Sequence, residues 1–513
     1  MTIIREDYPL VQTTEGVLRG IDMEDVIVFR GVQYAEAERF ARPRRHRGWN
    51  GVREAYVWGH VCPTRGVSES TLYTTNRIWT QGEDCLNLNI ATSGLEKERK
   101  KPVMVWLHGG GFSGGSAIGE LTTDIENLAR TGEVVAVSVN HRLGCLGFLD
   151  LRDCGEEFAE CANLGMLDIV EALRWIRDNI ASFGGDPGNV TLFGQSGGGG
   201  KIMALMQMPM ADGLYHKAII QSGVMPVQDS WREPLSRQYG KLVKEKLSGA
   251  GAEHSSLRRL PVAALFRASD EAREELGRRM DFFGPHPDGA EMLDDFRTAG
   301  FREEMLHIPV LIGSCLGELA MFDPGGLKEA PFSSRDLQNL GRAEKIARLK
   351  ERFHEDAEQI ALEMENSYPE LDVLFSLNVD SILRDTILGY ARARARKASA
   401  PVYNYLFSYC IPVLEGKLPW HGSDLAFCFG NLDRSEVLRS GGEAAERVMR
   451  AMRDAWIAFA KTGNPTAQGL PEWKPFTAEE ENCMLFTDPC RFASGHDRRL
   501  QQLLKKHSVS IFG

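Results

Sequence analysis

Two runs of this chain, Pro102-Val103-Met104-Val105-Trp106-Leu107 and Val134-Val135-Ala136-Val137-Ser138-Val139, are apolar at successive rather than alternate positions. Neighbouring side chains of a strand point to opposite faces, so an unbroken apolar run fits a strand covered on both faces. Between the runs, Leu121 to Arg130 reads as a crossover helix. After them, Leu164 to Phe183 repeats apolar residues at helical spacing until Gly184-Gly185-Asp186-Pro187 stops it. Val190-Thr191-Leu192-Phe193 and Ala218-Ile219-Ile220-Gln221 read as further buried strands. Val310-Leu311-Ile312-Gly313 and Val402 to Phe407 resume the pattern beyond a charged, helical middle. Gly16 to Gly20 and Val26 to Val32 read as a small antiparallel hairpin. Glu443 to Lys461 reads as a long helix stopped by Gly463-Asn464-Pro465. Strands alternating with helices predict an α/β protein with a large, mostly parallel central sheet and helices on both faces. No clean linker, repeat or low-complexity segment divides the chain. The simplest parse is one domain over 1–513, with helical insertions at roughly 226–306 and 325–400 above the carboxyl ends of the strands.

The Val190 run passes directly into Gly194-Gln195-Ser196-Gly197-Gly198 and a following helix. Glycines on both sides of Ser196 allow a sharp strand-to-helix turn that pushes the hydroxyl into the open. A serine hydroxyl is a poor nucleophile until a base takes its proton, so this elbow predicts a histidine, an acid and an oxyanion hole elsewhere. His108-Gly109-Gly110-Gly111-Phe112 follows the first buried run, where a glycine loop leaves backbone N–H groups unobstructed for a developing oxyanion. Ser314-Cys315-Leu316-Gly317-Glu318 places a carboxylate just past a strand tip. Pro419-Trp420-His421-Gly422-Ser423-Asp424-Leu425 places a histidine in a loop of small residues. Ser196, Glu318 and His421 then stand in the order nucleophile, acid, base.

These motifs resemble the type-B carboxylesterase/cholinesterase family over nearly the whole chain. The likeness runs through Gly31 to Glu36, Glu83 to Asn89, His108 to Phe112, Asn140 to Gly144, Asn179 to Asn189 and Gln221-Ser222-Gly223. It continues in Pro285 to Gly289, His421 to Gly430 and Trp456 to Pro465. The resemblance implies the α/β-hydrolase fold and a serine esterase of bacterial type. It implies Ser196 as nucleophile, Glu318 as acid and His421 as base, with Gly110, Gly111 and Gly197 donating to the oxyanion. Ser222 matches a serine that supports acid and base. The implied reaction is hydrolysis of small to medium uncharged carboxylic esters through an acyl-enzyme, with no metal or organic cofactor. The same triad acting on an amide, carbamate or specialised ester is the first alternative. A non-catalytic adhesion module is the second, although such relatives lose the nucleophile.

The chain departs from the family pattern at several positions. Gln195 replaces the usual glutamate, which reads either as weaker attraction for cationic substrates or as a structural swap. Gly197 replaces the usual alanine and is followed by Gly198, Gly199, Gly200 and Lys201. Each glycine inside a helix costs about 1 kcal/mol relative to alanine, so close packing or room for an acyl group is expected to offset it. Leu319 follows Glu318 where glycine is usual, and Tyr34 to Phe40 is short. Cys62 and Cys85 fall where secreted relatives close a disulfide. Phe112, Phe282, Phe283, Phe322 and Phe427 are either walls of an apolar pocket or core residues, with core packing favoured.

Composition narrows the partners. Charged residues at 26% and apolar residues at 43% describe an ordinary globular protein, and a net charge of −11 argues against nucleic acid and anionic membranes. No apolar stretch approaches the roughly 20 residues of a membrane span. The N-terminus lacks a signal-like apolar run, so a cytoplasmic location with mostly reduced cysteines is expected. No C-x-x-C pattern suggests zinc. A small-molecule ester substrate is the expected partner, and a monomer or homodimer the expected state of the chain.

Overall fold

A computed structural model describes residues 8–65, 77, 79–224, 233–249, 257–278, 283–298, 300–318, 339–411 and 419–508. The chain forms two compact units, one of residues 1–218 and 227–305, the other of residues 219–226 and 306–513.

The first unit holds six strands of a twisted sheet: β1 (Ile21–Asp22), β2 (Ile27–Gln33), β3 (Asn87–Thr92), β4 (Lys101–Leu107), β5 (Val135–Val139) and β6 (Gly185–Gln195). Their order is β1-β2-β3-β5-β4-β6. The strands from β1 to β5 meet antiparallel, whereas β5, β4 and β6 run parallel. Every residue of β5 is buried, as is every residue of β4 except Pro102, which is what the two unbroken apolar runs require. The helices of this unit include α1 (Glu126–Gly132), α2 (Leu164–Asn179), α3 (Gly197–Leu205), α4 (Glu233–Gly249) and α5 (Val262–Glu275). The last two pack on each other within the charged middle of the chain.

The chain passes from the first unit into the second within β7 (Lys217–Gln221). In the second unit, β8 (Val310–Cys315), β9 (Val402–Phe407) and β10 (Asn482–Phe486) run parallel, and β11 (Arg491–Ser494) closes the edge antiparallel. Helices α6 (Arg342–Phe353), α7 (Ala357–Ser367), α8 (Leu383–Ala395), α9 (Gly442–Thr462) and α10 (Arg498–Lys506) surround these strands in sequence. One apolar cluster joins Leu349, Phe353, Ile360 and Met364 of α6 and α7 to Leu406 of β9 and Leu500 of α10.

Three sequence readings change. Gly16 to Gly20 does not pair with Val26 to Val32. Its strand Val17–Arg19 pairs with Leu10–Gln12 and Val52–Glu54 in a separate small sheet, and β1 is the partner of β2. The tight turn at Met23, whose N–H donates to the Val26 carbonyl, fixes that pairing. The expected helix from Leu121 breaks at Asp124, which is extended, and α1 begins at Glu126. The elbow strand starts at Gly185 rather than Val190, with an irregularity between those residues absorbing Pro187.

Candidate active site

The serine elbow and the glycine loop leave adjacent parallel strands at one level, because Gly194 of β6 pairs with Leu107 of β4. Ser196 follows with φ 57° and ψ −125° and caps the start of α3. A non-glycine residue held in so sparsely populated a region costs about 1–3 kcal/mol, and such strain concentrates at functional sites. Ser196 is half-buried between buried neighbours, so it is the residue of the elbow that reaches solvent.

The glycine loop lies against this turn. A Cβ on Gly109 would sit 3.1 Å from Gln195 Oε1 and 3.6 Å from Ser196 Cβ. Gly110 and Gly111 are exposed, with φ of 85° and 61° that side chains rarely adopt. The Gly114 N–H donates to the Gly110 carbonyl at 3.0 Å and closes the loop. The glycine run of α3 also finds its reason here. A Cβ on Gly197 would fall 2.2 Å from the Gly111 carbonyl oxygen, and one on Gly198 would fall 2.0 Å from that of Leu107. Alanine at Gly197, the family's usual residue, therefore has no room in this structure. Close backbone packing is what offsets the poor helix propensity at these two positions.

Behind the loop, the imidazoles of His108 and His141 stack with centroids 5.1 Å apart. Burial, and then the charge of Lys201, holds both well below the usual histidine range. The His141-Arg142 segment is fixed by a buried ion pair in which Arg142 Nη2 donates to Asp168 Oδ1 at 2.7 Å.

The second unit brings Ser222, Glu318 and His421 together. Glu318 is fully buried just past β8. Its Oε1 accepts from Ser222 Oγ at 2.5 Å and from the Cys315 N–H at 2.6 Å. Its Oε2 accepts from His421 Nδ1, and the His421 backbone N–H donates to the Glu318 carbonyl at 3.1 Å. Burial opposes charge on His421, but the Glu318 carboxylate and its hydrogen bond, with Asp424 and Asp380 adding to them, outweigh that and raise the imidazole above its ordinary value.

Two of these carboxylates carry no role in the sequence reading. Asp424 Oδ2 accepts from Gln221 Nε2 and from the Tyr405 hydroxyl, each at 3.0 Å. Asp380 caps the start of α8 by accepting from the N–H groups of Ile382 and Arg384, at 3.0 and 2.7 Å. Burial first, and then the negative field of Glu318, lifts Asp380 to about 6. Its signal in the sequence is an aspartate shortly ahead of a helix, which reads as a cap and nothing more.

The aromatic candidates resolve toward the core. Phe112 meets Phe148 edge-on at 5.3 Å, Phe283 meets Tyr239 at 5.7 Å, and Phe427 lies 4.8 Å from Phe407. Phe282, Phe322 and Leu319 lie outside the described residues. All ten cysteines, Cys62 and Cys85 among them, are free thiols. Among the described residues, no group of three or more metal-ligating side chains occurs and no helix is long and apolar enough to cross a membrane.

Comparison with known proteins gives the family. The model of the carboxylesterase family matches residues 7–512. The para-nitrobenzyl esterase of Bacillus subtilis (strain 168) is 31% identical over 495 residues, which cover 93% of this chain and 94% of that protein. The phenmedipham hydrolase of Pseudarthrobacter oxydans is 33% identical over 516 residues, 94% of this chain and 95% of that protein. A solved esterase from anaerobic Clostridium hathewayi, reported to hydrolyze aliphatic aromatic polyesters, superimposes with a TM-score of 0.88. It is 37% identical and covers 98% of this chain and 99% of its own. The chain therefore belongs to the carboxylesterase family and is a carboxylic ester hydrolase of the α/β-hydrolase fold.

Proposed function

We propose that this chain is a serine carboxylesterase that hydrolyses small to medium uncharged carboxylic esters through an acyl-enzyme. The observation that carries the reading is Ser196, strained to a positive φ and half-buried, with Gly109 of the glycine loop against it and Gly110 and Gly111 exposed. In this reading His421 accepts the Ser196 proton through Nε2 as Oγ bonds to the ester carbonyl carbon. Glu318 holds the ring through Nδ1 and balances the imidazolium that forms. The N–H groups of Gly110, Gly111 and Gly197 take the oxyanion, each contributing about 3 kcal/mol to the transition state. The alcohol leaves with the proton from His421; a water then gives a proton to the same nitrogen as its oxygen bonds to the acyl carbon, and the bond to Ser196 Oγ breaks as His421 returns that proton to Oγ and the acid is released. Ser222 and Gln195 act by holding the groups around them.

We also propose that the whole chain works as one catalytic domain, which the family match over residues 7–512 supports. Ten free thiols favour a reducing, cytoplasmic setting for a monomer or homodimer. The test is covalent labelling by a fluorophosphonate probe, followed by kcat/KM on p-nitrophenyl esters of increasing acyl length. Wild type should take the probe and Ser196→Ala should not. Phenmedipham, an aliphatic–aromatic polyester and simple amides complete the panel. Faster turnover of phenmedipham or the amides than of any simple ester would reject the substrate class. Absence of labelling in the wild type would reject the mechanism.

A further inference from the structure

Lys201 lies fully buried in α3, and the mechanism above gives it no task. Its Nζ donates to the backbone carbonyl of His108 at 2.8 Å, and the Phe112 ring centroid lies 6.0 Å from the same atom. His108 and Phe112 bracket the glycines that face Ser196. The His108 carbonyl is also 3.0 Å from where a Cβ on Gly198 would stand. The glycines thus let the helix come close, and the lysine reaches back to grip the strand end from which the loop departs. Taking an ammonium out of water is costly, whereas an apolar side chain of similar volume would fill the space without that penalty. An amine at this place does something other than fill volume.

We propose that Lys201 is a positioning residue for ester hydrolysis, clamping the glycine loop that holds the oxyanion to the helix that begins at the nucleophile. The proposal rests on the serine-esterase reading. Burial brings the amine down to about 7. It keeps an N–H to donate in either charge state, so the clamp holds on both sides of neutrality. The neighbouring titratable groups are the imidazoles of His108 and His141, which burial keeps neutral. A loop loosened by about 1 Å forfeits about 100-fold in rate when the geometry is catalytic.

The test measures kcat per site titrated with the fluorophosphonate probe, in the wild type, Lys201→Met and Lys201→Gln. Probe uptake reports the nucleophile, and turnover per labelled site reports the clamp, so the two readings fail separately. Lys201→Met should lower kcat per site by about 10- to 100-fold while KM moves less than about threefold. Lys201→Gln keeps a donor on a shorter arm and should recover part of the loss. Glutamine also retains a polar head, which keeps a folded variant in hand should methionine prevent folding. Turnover per labelled site within about twofold of wild type in the folded variants would make Lys201 a packing residue and overturn the proposal.

Discussion

At the scale of single residues, the state of His421, the proposed general base, decides when the enzyme works. A general base must be neutral, and the carboxylates around His421 raise its pKa above the usual value near 6.5 against the pull of burial. The rising limb of kcat/KM with pH should therefore lie above about 6.5. Glu318→Gln removes the largest support for the charged ring and leaves burial in command, so the limb should shift to lower pH. In the same variant kcat should fall by about 10³- to 10⁴-fold, because the tautomer is no longer held. The linkage to stability has a definite sign. A raised folded pKa contributes stability that is full below about 6.5 and fades as pH rises through the folded value. Wild type should therefore lose this part of its margin over Glu318→Gln on the alkaline side, read as Tm against pH. A limb that stays in place in the variant would mean that Glu318 does not set the basicity of His421.

At the scale of elements, the meeting of β4, β6 and α3 is where the sequence was most legible. Ser196 and His108 to Gly111 announce themselves because each follows an apolar run and each needs glycine for a backbone reason. The strand at Gly185 was harder, since Gly184-Gly185-Asp186-Pro187 signals a helix stop and the irregular pairing before Val190 leaves no periodic trace. The Gly16 to Gly20 pairing went astray for a related reason: a hairpin is recognised by its turn, and the turn at Met23 serves β1 instead. Two glycines separate close packing from backbone strain. Gly198→Ala drives a Cβ into the Leu107 carbonyl, where only backbone can yield. It should destabilise on the order of 3 kcal/mol and suppress turnover. Gly213→Ala meets open space at a φ of 74° and should cost only about 1–2 kcal/mol with turnover intact. Urea denaturation and activity on the same samples compare the two. Equal stability and equal turnover in both variants would mean that α3 does not press on the glycine loop as the structure has it.

At the scale of the whole molecule, what was legible was whatever repeats or bonds locally. Buried runs marked the strands of both units, and motif order singled out Glu318 and His421, which the structure brings into hydrogen-bond contact. Asp380, Asp424 and Lys201 escaped, because a cap, a loop aspartate and a lysine at the end of a glycine run carry no pattern that distinguishes them from solvated neighbours. Their surroundings come from residues far away in sequence. Net charge, by contrast, is fully written in the composition and bears on how substrate arrives. A charge of −11 exerts a field on ions and none to first order on a neutral molecule. Raising salt from about 10 mM to about 1 M shortens the screening length from about 30 Å to about 3 Å. Across that range kcat/KM for an uncharged aryl ester should vary less than about twofold, while that for a cationic ester of similar size should fall as its attraction is screened. With an amide at Gln195 in place of a carboxylate, that attraction comes from the molecule's overall field rather than from a charge beside Ser196. Replacing Gln195 by glutamate should then raise kcat/KM for the cationic ester at high salt, where the distant field is gone and only a neighbouring charge still acts. No gain in the Gln195→Glu enzyme at high salt would mean that the residue before the nucleophile does not face the substrate's charged end.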